Sequence, residues 1–307
     1  MRKLNIKHLV LTGGGPMGLS QYSALNNITK KKIIDKDKIE SICATSVGAI
    51  CGVSYLFKNI DEDKLIKYII DRDWSEDYKL KSDNILGVFW KLGLLDCELV
   101  TRNFMEPIFK SEKISCDINL KEFYEYTNVE FKFLTTNVNN NFNRTILSYK
   151  NNPDLPLIKA ISMSCCVPLL FYPIKVNDDE CYLDGGIIEN YPLNTFLDDF
   201  NGNEDEILGI RNCNKKNIIN TKISSSTNLL DFFIIIISSF VKMINHKYDN
   251  GKKIKNELII KNDMGNMTNY NFFIDSVVKT EQREKLLENG ISSSEIFINN
   301  LISETDK

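Results

Sequence analysis

Ile39–Tyr55 reads IESICATSVGAICGVSY. A short apolar run, Ile42-Cys43-Ala44, leads into Thr45-Ser46-Val47-Gly48, and small and apolar residues follow at once. The pattern predicts a buried strand, a sharp turn with Ser46 at its tip, and a tightly packed helix, which is the layout of a nucleophile elbow. A turn that holds a serine in strained backbone space, with strand and helix crossing closely, leaves no room for large flanking side chains. The usual spacing is G-x-S-x-G; here Ala44 takes the first glycine position and Gly48 the second. One extra methyl costs little where φ is negative and more where it is positive. The backbone at Ala44 is therefore expected to decide whether the elbow is strained in the usual way. An ordinary strand-to-helix turn explains the same residues, and the stretch alone does not choose.

Upstream, Ile6–Leu11 is a short apolar strand candidate, followed by Thr12-Gly13-Gly14-Gly15-Pro16-Met17-Gly18 and a helical pattern with Leu19, Tyr22, Leu25 and Ile28 on one face. Strand, glycine-rich turn and helix present free backbone N–H groups to an anion. Gly13, Gly15 and Gly18 satisfy the G-x-G-x-x-G of a dinucleotide site, but the acidic residue expected about 20 positions on is replaced by Lys30-Lys31-Lys32 and a mixed Asp35–Glu40 stretch. A phosphate-binding P-loop is excluded because no Gly-Lys-Ser/Thr follows. The third reading is an oxyanion hole built from consecutive glycine N–H groups. A second strand-turn-helix carrying a serine favours it, since a nucleophile and N–H donors at strand ends can meet at one edge of a parallel sheet.

Downstream the texture changes. From Lys58 to Asn128 charges are dense and the apolar spacing is helical (Leu65, Ile66, Ile69, Ile70; Ile85, Leu86, Phe89, Trp90; Leu99, Phe104, Ile108, Phe109), with Gly93-Leu94-Leu95-Asp96 read as a turn. This is a helical insertion capping the sheet, either a place of substrate selection or plain cover for the core. Val129–Thr136 and Thr145–Tyr149 read as strands around a polar loop, and Asp154–Ser164 as a helix opened by Pro156. Ile174–Val176 and Cys181–Leu183 read as strands, the second ending in Asp184-Gly185-Gly186. An acid at a strand end beside two glycines suits a close approach to another element; a common Asp-Gly turn explains it equally. Ile207–Ile210 and Glu257–Lys261 are further strand candidates, Asn212–Ser226 a polar loop, and Phe272–Asn289 a surface helix stopped by Gly290.

The 307 residues suit one large domain or two small ones, with no linker long enough to argue two, and 43% apolar and 26% charged residues are as in ordinary globular chains. A net charge of −3 leaves no electrostatic footprint for nucleic acid. The eight cysteines form no C-x-x-C pair and there are only two histidines, so a zinc site is not indicated. Most of the cysteines lie in apolar runs, as core residues of a reducing, cytoplasmic compartment do. MRKLNIKHLVLTGGG reads as a first strand rather than a signal peptide. The most apolar segment is Leu229–Ile244; its longest uncharged part, Phe232–Val241, is ten residues, against the roughly 20 that a membrane span needs. It reads as a buried helix first and an exposed, lipid-contacting helix second.

Most serine hydrolases use a histidine base oriented by a carboxylate. His8 sits at the first strand and reads as structural; His246 follows the apolar segment among lysines and reads as exposed. Asp184 is then the best-placed carboxylate to deprotonate Ser46. At this point the residues resemble the patatin-like phospholipase and acyl hydrolase family. Gly13–Gly18 is similar to its oxyanion loop, Ala44–Gly48 to its nucleophile elbow, and Asp184-Gly185-Gly186 to its aspartate motif. Gly93–Asp96, and Ala160–Ser164 with Val167-Pro168 and Phe171-Tyr172-Pro173, resemble stretches the family carries between them. The order and spacing agree over about residues 5–210.

The resemblance implies a three-layer α/β/α sandwich with a largely parallel central sheet, and a helical insertion between elbow and aspartate. The chain would form a single domain, 1–307, with 211–307 a mostly helical extension of it. Ser46 would be nucleophile and Asp184 general base, with the N–H groups of Gly14 and Gly15, joined by Gly13, holding the oxyanion. Gly18, Ala44, Gly48, Gly185 and Gly186 would support these motifs. The implied reaction is ester cleavage in phospholipids, lysophospholipids or other acyl lipids, without metal or cofactor, by a protein meeting membranes peripherally. Two departures stand out: Ala44, and Met17 where many relatives carry Arg or Lys. They keep open a second reading, a catalytically weak or inactive lipid-binding or interaction protein on the same fold.

Overall fold

The computed structural model describes residues 3–79, 87–88, 90–214, 223, 225, 227, 229–248, 251–262 and 270–303. The expected helical residues Ile85, Leu86 and Phe89, and most of the Asn212–Ser226 loop, lie outside the described residues. The chain opens with strand β1 (His8–Leu11) and helix α1 (Gly18–Lys30), then β2 (Ser41–Thr45) and α2 (Val47–Leu56). Next come α3 (Glu62–Asp71), begun by the Asp61 side chain accepting from the Asp63 and Lys64 N–H groups, β3 (Gly93–Leu95) and α4 (Cys97–Glu112), capped by Asp96. Helix α5 (Leu120–Thr127) starts with an Asn119/Glu122 capping box and leads into β4 (Glu130–Asn137) and β5 (Asn143–Leu147). Helix α6 (Leu157–Cys165), β6 (Leu169–Phe171), β7 (Ile174–Lys175), β8 (Cys181–Asp184) and α7 (Leu193–Asp198) follow. The chain continues through β9 (Ile207–Asn214), α8 (Leu229–Tyr248), β10 (Asn256–Asn262), α9 (Tyr270–Val278) and α10 (Thr280–Ser303).

The main sheet runs β10-β9-β1-β2-β4-β8-β7, with β5 also on β4. The strands from β10 to β4 are parallel, and β8, β7 and β5 join antiparallel. Alternation across the strands separates two apolar layers. Leu9, Leu11, Ile42 and Ala44 point into the core shared with α1 and α2, whereas Val10 and Cys43 pack on the other face with Leu193 and Phe196 of α7. Helices thus cover both faces, an α/β/α sandwich with a mixed sheet whose central strands are parallel and buried.

Three sequence expectations change. Gly93–Leu95 is not a turn; it is a strand paired with Leu169–Phe171 in a small second sheet. The C-terminal helix does not stop at Gly290. Gly290 lies inside α10, where a Cβ would sit 2.0 Å from the Ser20 carbonyl oxygen, so its missing side chain lets α10 lie against α1. Ser20 and Ser23 hydroxyls donate across that contact to the Leu286 and Leu287 carbonyls. Finally, α8 is not buried: Leu229, Phe232, Phe233, Phe240 and Met243 are exposed, Phe240 to 59% and Met243 to 68%. No helix of the described residues is long and apolar enough to cross a membrane.

Candidate active site

The sheet register brings the expected residues into one row. Thr45 pairs with Leu134, so Ser46, one position on, is level with Thr135, and Thr135 pairs with Asp184 across β8. On the other side Leu11 pairs with Ala44 and with Ile210, so two positions on Gly13 is level with both Ser46 and Asn212. Asn212, Gly13, Ser46, Thr135 and Asp184 therefore follow one another across five strands at the carboxyl ends of the parallel strands, where open α/β sheets bind ligands.

Ser46 sits at φ 55° and ψ −132° between β2 and α2, a conformation that costs a non-glycine residue about 1–3 kcal/mol. Ala44, by contrast, is an ordinary fully buried strand residue without positive φ. The strain of the elbow is thus carried at the serine itself, contrary to the expectation that Ala44 would decide it. Gly48 is required by space: a Cβ there would lie 2.7 Å from the Thr12 carbonyl oxygen, where α2 crosses the end of β1. The Ser46 N–H donates to Ser164 Oγ at 2.9 Å, and Ser164 Oγ donates to the Leu134 carbonyl at 2.6 Å. Ser164 so ties the elbow to β4.

Ser46 Oγ donates to Asp184 Oδ2 at 2.6 Å. The other carboxylate oxygen, Oδ1, accepts the Gly186 N–H at 2.6 Å. Asp184 is only 5% exposed. Burial pushes its pKa up to about 6, against the two hydrogen bonds that favour the charged form. Neither histidine takes part in this pair. His8 lies at the opposite end of β1, its Nδ1 2.8 Å from Ser41 Oγ and its ring against Phe196 and Phe200. His246 is exposed on α8.

The glycine-rich turn divides its labour. Gly13 donates its N–H to the Asn190 carbonyl at 2.8 Å, so it is not free to join the other two. Its carbonyl is held by the Asn190 and Asn212 side chains. Gly14 and Gly15, at φ 154° and 52°, adopt conformations that glycine alone takes readily, and their N–H groups have no protein acceptor among the described residues. Met17 is 1% exposed and belongs to the core, so the turn carries no cation toward the site.

Asn190 and Asn245 were not legible as site residues. Asn245 of α8 accepts the Asn190 N–H at 2.7 Å and donates to the Gly186 carbonyl at 2.7 Å. It thereby joins the glycine turn, the Asp184 loop and the exposed helix. Ser164 could have been suspected from its place in the Ala160–Ser164 stretch; Asn245 carries no signal of its own. Two cavities meet at Ser46. The larger, about 520 Å³, is lined by Ser46, Asp184, Gly14, Gly15, Asn190 and α8. The smaller, about 160 Å³, is walled by Leu65, Ile69, Trp74, Phe104 and Phe171.

Residues 9–197 match the family model of the patatin-like phospholipases. An uncharacterized protein of Acanthamoeba polyphaga mimivirus is 28% identical over 97% of this chain and 95% of its own length. A probable lipid hydrolase of Invertebrate iridescent virus 6 is 27% identical over 61% of this chain and 62% of its own length. Among solved structures, VipD from Legionella pneumophila shares the fold at a TM-score of 0.51 and 13% identity, over 96% of this chain and 67% of that one.

Proposed function

The chain belongs to the patatin-like phospholipase family, and we propose that it is a lipid acyl hydrolase working through Ser46 and Asp184 on phospholipids or lysophospholipids. The observation that carries this reading is the 2.6 Å hydrogen bond from a strained, buried serine to a carboxylate whose pKa is raised to about 6, at the junction of two cavities. A weak ordinary carboxylate is a poor base for a serine hydroxyl; burial brings it nearer to what general-base catalysis needs. The relative described as a probable lipid hydrolase supports the same class of reaction.

In this mechanism Ser46 Oγ attacks the ester carbonyl carbon while its proton passes to Asp184 Oδ2. The N–H groups of Gly14 and Gly15 hold the tetrahedral oxyanion, a stabilisation of about 3 kcal/mol per donor. The carbon–oxygen bond to the alcohol breaks, and the leaving oxygen takes the proton from Asp184. Water then gives a proton to Asp184 and attacks the acyl-serine; Ser46 leaves with that proton, releasing the carboxylic acid. The smaller cavity, with its apolar walls, suits the acyl chain.

Helix α8 is the part that meets the lipid layer in this reading. Its polar residues Ser238, Lys242, Asn245 and His246 line the larger cavity, while Phe232, Phe233, Phe240 and Met243 face outward. That is the reverse of a solvated surface helix and fits an apolar face lying in a membrane interface. Fluorophosphonate labelling combined with hydrolysis of mixed phospholipids tests the proposal. It expects labelling at Ser46 and fatty acid release, both lost in Ser46→Ala. An inactive His246→Ala beside a fully active Asp184→Asn would replace the dyad with a histidine-based site.

A further inference from the structure

Lys242 and His246 stand four residues apart on α8, so they share one side of the helix. Both are exposed and both line the larger cavity at Ser46, with Arg211 of β9 and Lys252. Arg211 stacks over the Tyr191 ring at 5.6 Å, and Lys252 lies 3.8 Å from Asp198. Among the described residues two carboxylates line the same cavity, Asp184 and Glu189, and neither balances the Lys242 ammonium. Asp184 is engaged by Ser46 and the Gly186 N–H. Glu189 is held by Arg144 at 3.1 Å and by the Asn194 and Thr195 N–H groups. Lys242 has no ion pair among the described residues, and partial burial lowers its pKa. Among the described residues Lys242 is therefore an uncompensated positive charge on a wall that otherwise presents Ile237 and Val241. The buried Met17 leaves the glycine turn without a cation of its own, so α8 is where an anionic group would find its partners.

We propose that Lys242 and His246 form a phosphate subsite that takes the headgroup phosphate of a glycerophospholipid or lysophospholipid. A phosphate oxygen accepts from the ammonium and the imidazole, and the apolar remainder of the wall carries the glycerol and chain. Charge-assisted contacts of this kind are the strong ones among hydrogen bonds. The placing of the lipid ester at Ser46 rests on the hydrolase reading above; the binding of phosphate does not.

Calorimetry with two ether lipids that cannot be hydrolysed separates the two ideas. Octyl glycerophosphate should bind the wild-type protein about tenfold or more tighter than octylglycerol, the difference two charge-assisted contacts provide. In Lys242→Met/His246→Gln that preference should fall to within about twofold of none. Lys64→Met removes a lysine on α3 whose side chain is 84% exposed; it should keep the preference and controls for net charge. Equal binding of the two lipids by the wild type, or an unaltered preference in the double variant, overturns the subsite. Inorganic phosphate competing as strongly as octyl glycerophosphate would overturn its assignment to a lipid headgroup. Hydrolysis of the matching octanoyl esters reads the other proposal separately. A phosphate preference without hydrolysis sinks only the hydrolase reading, and hydrolysis without preference sinks only the subsite.

Discussion

Asp184 meets Ser46 with one oxygen and the Gly186 N–H with the other, each at 2.6 Å, so both carboxylate oxygens are held by the protein. Replacing either partner should abolish turnover while the fold persists. Ser46→Ala and Asp184→Asn are each expected to lower kcat at least about a thousandfold on a phospholipid ester. Steady-state assays against circular dichroism of the same samples check this; full activity in either variant rejects the dyad.

The raised pKa of Asp184 gives activity and stability opposite pH trends. In the proposed mechanism Asp184 must be ionised to act as base, so kcat/KM should rise through about pH 6. The folded pKa lies above the ordinary aspartate value of 3.8, so the native state binds the proton more tightly than the unfolded one. That contribution to stability is present below pH 3.8 and is lost as pH rises through about 6, on the order of 3 kcal/mol in all. Asp184→Asn removes the dependence. Urea titrations from about pH 4 to 7 should show the wild type losing ground to the variant as pH rises; parallel curves would contradict the shift.

Ser164 holds the only N–H of the elbow residue and the Leu134 carbonyl at once. Ser164→Ala leaves the buried Ser46 N–H without its partner, at a cost of about 1–3 kcal/mol. Misplacing Ser46, the proposed nucleophile, should also reduce kcat by up to about a hundredfold. Denaturant midpoints and kcat together test the point, since a loss of stability with undiminished kcat would leave Ser164 a merely structural residue.

Ala44→Gly would restore the usual first glycine of the elbow, yet Ala44 lies in ordinary strand conformation and is fully buried. The change should destabilise the protein by about 1 kcal/mol through backbone entropy and a lost contact, without raising kcat. A clear gain in activity would show that the methyl group does hinder the elbow.

The outward face of α8 predicts lipid association. Phe233→Ser, Phe240→Ser and Met243→Ser combined remove exposed side chains, each worth about 1.5–3 kcal/mol if it enters an apolar phase. Flotation with phospholipid vesicles should fall at least about tenfold, while the melting temperature holds. Unchanged flotation would assign α8 some other partner.

The sequence by itself carried the local pieces. Glycines at 13, 14, 15, 18 and 48, a serine after a short apolar run, and Asp-Gly-Gly after another define turns whose geometry admits few residue types, so residue identity alone marks these motifs. It also carried the strands and most helices, because apolar periodicity follows the backbone. It could not show which N–H groups remain free: Gly13 looks like Gly14 and Gly15, and only the approach of Asn190 removes it from the set. Nor could it show that α8 faces outward, since an apolar helix reads alike whether buried or exposed, nor that Gly290 serves a helix contact rather than a stop. Above all, Ser46 and Asp184 are separated by 138 positions, and nothing local couples them. The parallel pairing of β2 with β4 and the antiparallel pairing of β4 with β8 set both at the level of Thr135. Register is a property of neighbouring strands, fixed by side-chain packing across the sheet, and it is what turned two separate motifs into one site.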